Sequence, residues 1–218
     1  MKIIAKYHGA FGLKFGVPKQ SGLVPELKGT IVFEPKYRNP DALRGIEDFE
    51  YIWLICGFSA NKHDTTSPTV RPPLLGGNER LGVFATRSPF RPNPIGLSSV
   101  KIESVEMDNE KGPFIRVKGA DLMDGTPIYD IKPYIEYVDS HTGIRSGFVD
   151  SHPMKKLSVH IPEGIANQYV KDDYEALKKT LELDPRPHYH KDSQKVYGML
   201  FKGKDIHFRV DGDDLFVI

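Results

Sequence analysis

The segment from Leu81 to Val100, LGVFATRSPFRPNPIGLSSV, restricts the fold of this chain more than any other stretch. Pro89, Pro92 and Pro94 each fix φ and lack an N–H, which excludes a helix here. Each also pushes its predecessor, Ser88, Arg91 or Asn93, towards extended geometry. The expectation is a stiff, non-helical ribbon with unpaired backbone carbonyls, from which Arg87 and Arg91 project. Strand-like runs flank it, Gly82 to Ala85 before and Leu97 to Val105 after. In the second run Val100 and Ile102 alternate with Ser99, Lys101 and Glu103, the period of a half-buried strand. A ribbon that loses little entropy on ordering and carries two planar cationic forks suits phosphate, carboxylate or a nucleobase. A proline-rich crossover with solvated arginines fits the same composition.

The rest of the chain points to many short strands. Met1 to Tyr7, Thr30 to Phe33, Phe114 to Val117 and Thr126 to Ile131 read as strands, and the continuous apolar run Tyr51 to Phe58 reads as a fully buried one. Gly9 to Gly22 is a glycine-punctuated loop, and Ser59 to Gly77 is a long polar one. Asn39-Pro40 opens a brief helix over Tyr37 to Asp48. Seventeen prolines and twenty glycines favour turn-rich β architecture, and strands of this spacing suggest an antiparallel barrel or sandwich. The character changes near Val138. Asp139 to Pro153 reads as a polar linker with a hairpin. Leu157 to Ile161 reads as a strand, and Glu163 to Leu183 as a single helix closed by Asp184-Pro185. Val196 to Phe201, Ile206 to Val210 and Leu215 to Ile218 read as three strands joined at Gly203 and Gly212. The expected fold class is mainly β: an N-terminal antiparallel β-barrel over residues 1–138 and a small C-terminal α+β domain over residues 139–218.

With a net charge of +1, any nucleic-acid contact must come from a local patch. The single cysteine, Cys56, precludes an internal disulfide, suits a reducing cytoplasm and sits in an apolar run as a buried structural thiol. No signal-peptide core opens the chain and no apolar run reaches membrane-spanning length. A Rossmann-type nucleoside site is not indicated either, since Gly76-Gly77-Asn78 follows prolines and precedes no helical pattern.

Asp121, Asp124 and Asp130 bring three carboxylates within ten residues. Carboxylates recognise ribose hydroxyls and compensate a cationic centre, whereas Asp124-Gly125 alone is an ordinary turn pair. His188-Tyr189-His190 lacks the surrounding Cys, Asp or Glu pattern of a metal site, so no metal is expected. Between Asp184 and Val210 lie Arg186, Lys191, Lys195, Lys202, Lys204 and Arg209, interleaved with Tyr189 and Tyr197. That mixture suits an RNA-facing patch of cations and stacking rings, or a solvated mixed-charge face.

The residues ATRSPFRPNPIGLS (Ala85 to Ser98) closely resemble the signature of the TsaA-like, or TrmO, family. Other pieces are similar to that family in the same order: KFGVPKQSGL from Lys14, PTVRPPLLGGNERLGVFATR from Pro68, DLMDGTPIYDIKPY from Asp121, and DPRPHYHKD with VYGMLF near the end. The resemblance spans the whole chain. It implies an S-adenosylmethionine-dependent tRNA (adenine-N6)-methyltransferase acting on threonylcarbamoyl-adenosine beside the anticodon. It further implies a non-Rossmann barrel holding the cofactor and a homodimer. Carried onto this sequence, the S-adenosylmethionine pocket is expected from Pro18, Lys19, Gln20, Phe58, Ser59, Arg87, Gly96, Leu97, Asp121, Leu122, Met123 and Asp124. Asp130 and Asn93 are expected near the chemistry. Arg91, Arg186, Lys191, Lys195 and Arg209 are expected to contact tRNA. Lys19 stands where the family usually has arginine, keeping the charge but losing the fork, and Ser59 stands where histidine is common. A non-catalytic RNA- or ligand-binding module of the same barrel fold is the alternative, as is a methyltransferase of this fold with another substrate.

Overall fold

The computed structural model describes residues 1–60, 67–77, 79–187 and 192–218. Its strands are β1 (Ala5–His8), β2 (Lys28–Phe33), β3 (Tyr51–Gly57), β4 (Thr69–Val70), β5 (Leu81–Gly82), β6 (Ile95–Asp108), β7 (Gly112–Lys118), β8 (Pro127–Pro133), β9 (Ser158–His160), β10 (Tyr197–Phe201), β11 (Lys204–Asp211) and β12 (Asp214–Val217). The α-helices are α1 (Glu136–Asp139), α2 (Glu163–Ala166) and α3 (Lys171–Glu182).

Alternating side chains build the first core. In β3, Ile52, Leu54 and Cys56 are buried, while Tyr51 is exposed and Trp53 and Ile55 are half-buried. β6 buries Gly96, Ser98 and Val100 in the same phase. Six strands form one antiparallel sheet in the order β1-β2-β7-β6-β3-β8, and it closes because β1 pairs with β8 as well as with β2. Its interior is filled by Ala5, Tyr7, Ile31, Ile52, Leu54, Ile115, Val117 and Ile128.

A second sheet has the order β10-β11-β12-β9, with β9 parallel to β12. Lys202-Gly203, at φ 50° and 77°, makes the left-handed turn that joins β10 to β11. One face of this sheet packs on α3 through Ala176, Leu177 and Leu181. The same core takes Ala10, Phe11, Val24 and Leu27 from the loop between β1 and β2, so that loop belongs structurally to both halves. Phe11 lies edge-on to Phe201, with ring centroids 5.5 Å apart. Lys28 also reaches across to Asp172 at 2.8 Å. A solvent-exposed pair of that kind is screened by water and salt and contributes little, whereas burying one large apolar side chain contributes roughly 1.5–3 kcal/mol. The apolar loop therefore dominates the attachment of the two halves.

The mainly β expectation holds, and several local expectations change. Tyr51 to Phe58 is half-buried because only one of its faces looks into the core; Tyr51 and Trp53 instead pack near Tyr134, at centroid distances of 6.3 and 5.4 Å. Gly82 to Ala85 is not one strand: β5 stops at Gly82 and a 3-10 turn, Val83–Ala85, follows. The helix expected over Tyr37 to Asp48 resolves into separate 3-10 turns at Pro35–Tyr37, Pro40–Leu43 and Ile46–Asp48. Glu163 to Leu183 divides into α2 and α3, and Val170, extended at ψ 157°, breaks the helical path between them. The hairpin expected in Asp139 to Pro153 is not among the described strands, where a single 3-10 turn, Gly147–Val149, stands.

Candidate active site

The C-terminal end of β3, the N-terminal end of β6 and the turn leading into β8 meet at one end of the closed sheet. Gly57 pairs with Ile95, and Cys56 with both Gly96 and Ile128. There the inward phase of β6 changes from Val100 to Ser98 and Gly96, so the interior surface becomes small and polar. A Cβ on Gly96 would sit 2.7 Å from Cys56 Sγ and 3.1 Å from the Phe58 ring, so only glycine lets these groups approach. Over this end lies a cleft of about 840 Å³, within the size range of small-molecule sites.

Asp121 supplies the one carboxylate among the described residues lining the cleft, which also include Lys14, Lys19, Arg87 and Arg91. Ser98 Oγ donates to Asp121 Oδ1 at 2.6 Å. Burial raises the Asp121 pKa, and the Ser98 hydrogen bond, backbone N–H groups and the Arg87 charge pull it back. Burial, reinforced by the Asp121 charge, pushes the Cys56 thiol up to about 12, so this cysteine is the inert buried thiol its apolar setting indicated. Tyr7 is likewise raised, by burial first and then by Asp121 and Asp124.

The proline ribbon forms the facing wall. Its backbone is not left unpaired: Arg91 Nη1 donates to the carbonyl of Thr86 at 3.0 Å, and Pro94 O accepts from Phe58 N at 3.0 Å. Arg91 thus braces the ribbon that carries it. Arg87 stays exposed and donates to Gln20 Oε1, tying the ribbon to the Lys14–Gln20 loop.

Of the residues expected around a cofactor, Pro18, Lys19, Gln20, Phe58, Ser59, Arg87, Gly96, Leu97, Asp121, Leu122 and Met123 line this one cleft, as do Asn93 and Arg91. Asp124 does not. Its carboxylate accepts from Gly9 N and meets His8 Nδ1, both at 3.1 Å, so it ties its turn to the end of β1. Asp130 lies outside as well; Oδ1 accepts from the following backbone N–H of Ile131 at 3.0 Å and Oδ2 pairs with Lys132 at 3.2 Å. Asp121 and Asp130 separate because β8 carries the chain away from the cleft end.

The expected RNA contacts divide in the same way. Arg186 is committed to Asp184: Nε lies 2.8 Å from Oδ1 and Nη2 2.9 Å from Oδ2, with only 13% of the arginine side chain exposed. Arg209 lies over the Phe216 ring at 5.2 Å, and Lys195 over the Tyr197 ring at 5.4 Å. Lys191 and the histidines of His188-Tyr189-His190 fall outside the described residues. Among the described residues no three or more His, Cys, Asp or Glu converge as a metal site, and no helix is long and apolar enough to cross a membrane.

Sequence reasoning missed Trp53, Phe84, Thr86, Ser98 and Thr126 in the lining. Ser98 carried a signal, being a polar residue on the inward phase of an alternating strand. Phe84 is 80% exposed at the rim, and nothing in its local sequence indicated that.

Comparison with known proteins covers both halves of the chain. Residues 6–140 match the family model for the tRNA-methyltransferase O N-terminal domain, and residues 155–218 match that for the TrmO C-terminal domain. The chain is 37% identical over 205 residues to the tRNA (adenine(37)-N6)-methyltransferase of Escherichia coli, covering 90% of this chain and 87% of that protein. It is 36% identical to a Pseudomonas aeruginosa protein named putative S-adenosylmethionine-dependent methyltransferase RcsF, over 97% of this chain and 93% of the other. Among solved structures, a crystal structure of TrmO aligns with TM-score 0.78 at 29% identity, covering 99% of this chain and 95% of that one. That of TrmO from Pseudomonas aeruginosa aligns with TM-score 0.77 at 28% identity and the same coverage.

Proposed function

From the premise that this chain belongs to the tRNA-methyltransferase O family, we propose that it transfers a methyl group from S-adenosylmethionine to N6 of threonylcarbamoyl-adenosine at position 37 of a tRNA, beside the anticodon. The observation that carries this reading is the half-buried Asp121 carboxylate, hydrogen-bonded to Ser98 in a cleft whose opposite wall is the arginine-bearing ribbon.

The residues fit such a cofactor. Asp121 offers a carboxylate for ribose hydroxyls or for a cationic centre, Gly96 leaves room for close approach, and Phe58 and Leu122 add apolar surface. When bound, S-adenosylmethionine supplies an electrophilic methyl on a sulfonium that departs as a neutral thioether. The chain's own work is alignment, because a good leaving group needs little further activation. Methylation would displace the N6 proton, which would leave to solvent at the open cleft. The Asn93 side-chain oxygen, at the cleft wall, would accept a hydrogen bond from N6–H and turn the nitrogen towards the methyl. Arg87, exposed at the same wall, takes the carboxylate of the threonyl group with its guanidinium fork. Arg91 holds the ribbon in shape through Thr86.

Residues 1–138 act as the methyltransferase unit, and residues 139–218 help hold tRNA through Arg209 and Lys195. The protein works as a homodimer in the cytoplasm; exposed Phe84 and Leu97 at the cleft rim supply apolar surface for a partner. Incubation of the full chain with isotopically labelled S-adenosylmethionine and tRNA, followed by nucleoside mass spectrometry, tests the reading. Label on threonylcarbamoyl-adenosine supports it. Tight binding of both ligands without label transfer would instead mark a non-catalytic module, and label on another nucleoside would mark another substrate.

A further inference from the structure

The loop from Lys14 to Gln20 separates two cavities. On one side is the large cleft. On the other is a smaller pocket of about 190 Å³, closed by Thr180, Leu183, Asp184 and Pro185 at the end of α3. Lys14, Val17, Pro18 and Lys19 line both. The loop is a partition one layer thick, and its position sets the shape of the large cleft.

The partition is packed at its start against the C-terminal core. Phe15 stacks on Phe208 with centroids 6.4 Å apart and planes 9° from parallel. Gly16 lies against Met199, where a Cβ would fall 2.2 Å from Sδ. Towards Lys19 the neighbouring charge is Asp184. Lys19 is exposed over much of its surface, yet crowding by surrounding protein lowers its pKa, and the Asp184 carboxylate opposes that shift.

Asp184 is built for a fixed position. It follows the last turn of α3 in the left-handed region, at φ 49°. Its carboxylate accepts from Arg186 N at 3.2 Å, Nε at 2.8 Å and Nη2 at 2.9 Å, and both side chains are largely buried. A guanidinium paired with a carboxylate in this way, with only 13% of its side chain exposed, is poorly placed to meet a phosphate. We infer that the Asp184–Arg186 pair is a positioning unit for the methyl-donor cleft, holding the Lys14–Lys19 partition from behind, and is not an RNA contact. The inference rests on the methyltransferase reading, because it concerns that cleft's ligand.

Calorimetry with S-adenosylmethionine and the RNA-free full-length protein tests it. Asp184→Asn keeps the side-chain size and tolerates the left-handed backbone, but removes the charge. It is expected to weaken S-adenosylmethionine binding about tenfold. Arg186→Lys, which keeps charge but loses the fork, is expected to fall between wild type and Arg186→Ala. Lys19→Met is expected to weaken binding too, and the Lys19→Met/Asp184→Asn double variant to lose less than the sum of the single losses. Thermal unfolding of each variant is measured alongside. If Asp184→Asn unfolds, the Arg186→Lys and Lys19→Met results decide, with wild-type affinity in both overturning the inference. Unchanged S-adenosylmethionine affinity in folded Asp184→Asn and Arg186→Ala also overturns it, above all if tRNA affinity drops in both. Failure of the wild-type protein to bind S-adenosylmethionine would instead strike the methyltransferase reading itself.

Discussion

Ser98 Oγ lies 2.6 Å from Asp121 Oδ1, joining a strand of the closed sheet to the turn that caps its end. This hydrogen bond partly offsets the cost of holding a carboxylate where burial raises its pKa. The group is thus retained at some expense to the fold, as expected of a residue kept for a ligand.

Asp121→Asn should therefore separate stability from function. A carboxylate whose folded pKa lies above its unfolded value contributes most stability below the unfolded pKa. That contribution is lost as pH rises through the window up to the folded value. At neutral pH the ligand-free Asp121→Asn protein is expected to melt at or above the wild-type temperature. Its affinity for S-adenosylmethionine is expected to fall roughly 10- to 100-fold, the range of a hydrogen bond to a charged group. Calorimetry and thermal melts read the two effects; a lowered melting temperature at neutral pH would contradict the first.

Gly16→Ala should damage both halves together. The substitution places a Cβ 2.2 Å from Met199 Sδ at a backbone φ of 94°. A loss of about 2–4 kcal/mol is expected from overpacking and left-handed strain. Urea unfolding measures it, and weaker S-adenosylmethionine binding should accompany it because the same loop walls the cleft.

Trp53 is the sole tryptophan, and its Nε1 donates to Asp139 Oδ2 at 3.1 Å. The backbone N–H of Ile135, and then the indole, hold the Asp139 pKa below the usual range. The stability of this contact is thus present above the unfolded-state pKa and is lost as pH falls through the folded one. Tryptophan fluorescence in acid titration should show a step below the ordinary aspartate range, and Asp139→Asn should remove it. Because Trp53 also lines the cleft, S-adenosylmethionine should change the same emission at neutral pH.

Arg91 and Arg209 should behave differently in kinetics. Arg91→Ala frees the ribbon from Thr86 and is expected to lower kcat at saturating tRNA by about 10- to 100-fold through lost alignment. Arg209→Ala is expected to raise KM with kcat little changed and to reduce the salt slope of tRNA binding by about one unit. Both constants measured at two salt concentrations decide the matter; an Arg91→Ala effect confined to KM would make the ribbon a docking strip.

Local rules made much of this molecule legible in its sequence. Alternation in β6 identified its inward face, and the three prolines identified a non-helical wall. Both depend on period and backbone restriction, which act over a few residues; the Asp121 to Met123 stretch, which also lines the cleft, was indicated only by the family resemblance. What sequence could not separate were groups of one chemical type whose neighbours differ. Asp121, Asp124 and Asp130 are alike in sequence, and only the closed sheet half-buries the first beside Ser98, pairs the second with His8 at the end of β1 and gives the third to Lys132. Arg186 and Arg209 both read as cations for RNA, yet the end of α3 locks the first onto Asp184 while the second lies over Phe216. The loop of Phe11 and Phe15 looked like a connector and packs into the distant C-terminal core. A side chain's charge and polarity are written in the chain, but its burial, its partner and therefore its role are set by residues brought near only when the chain folds.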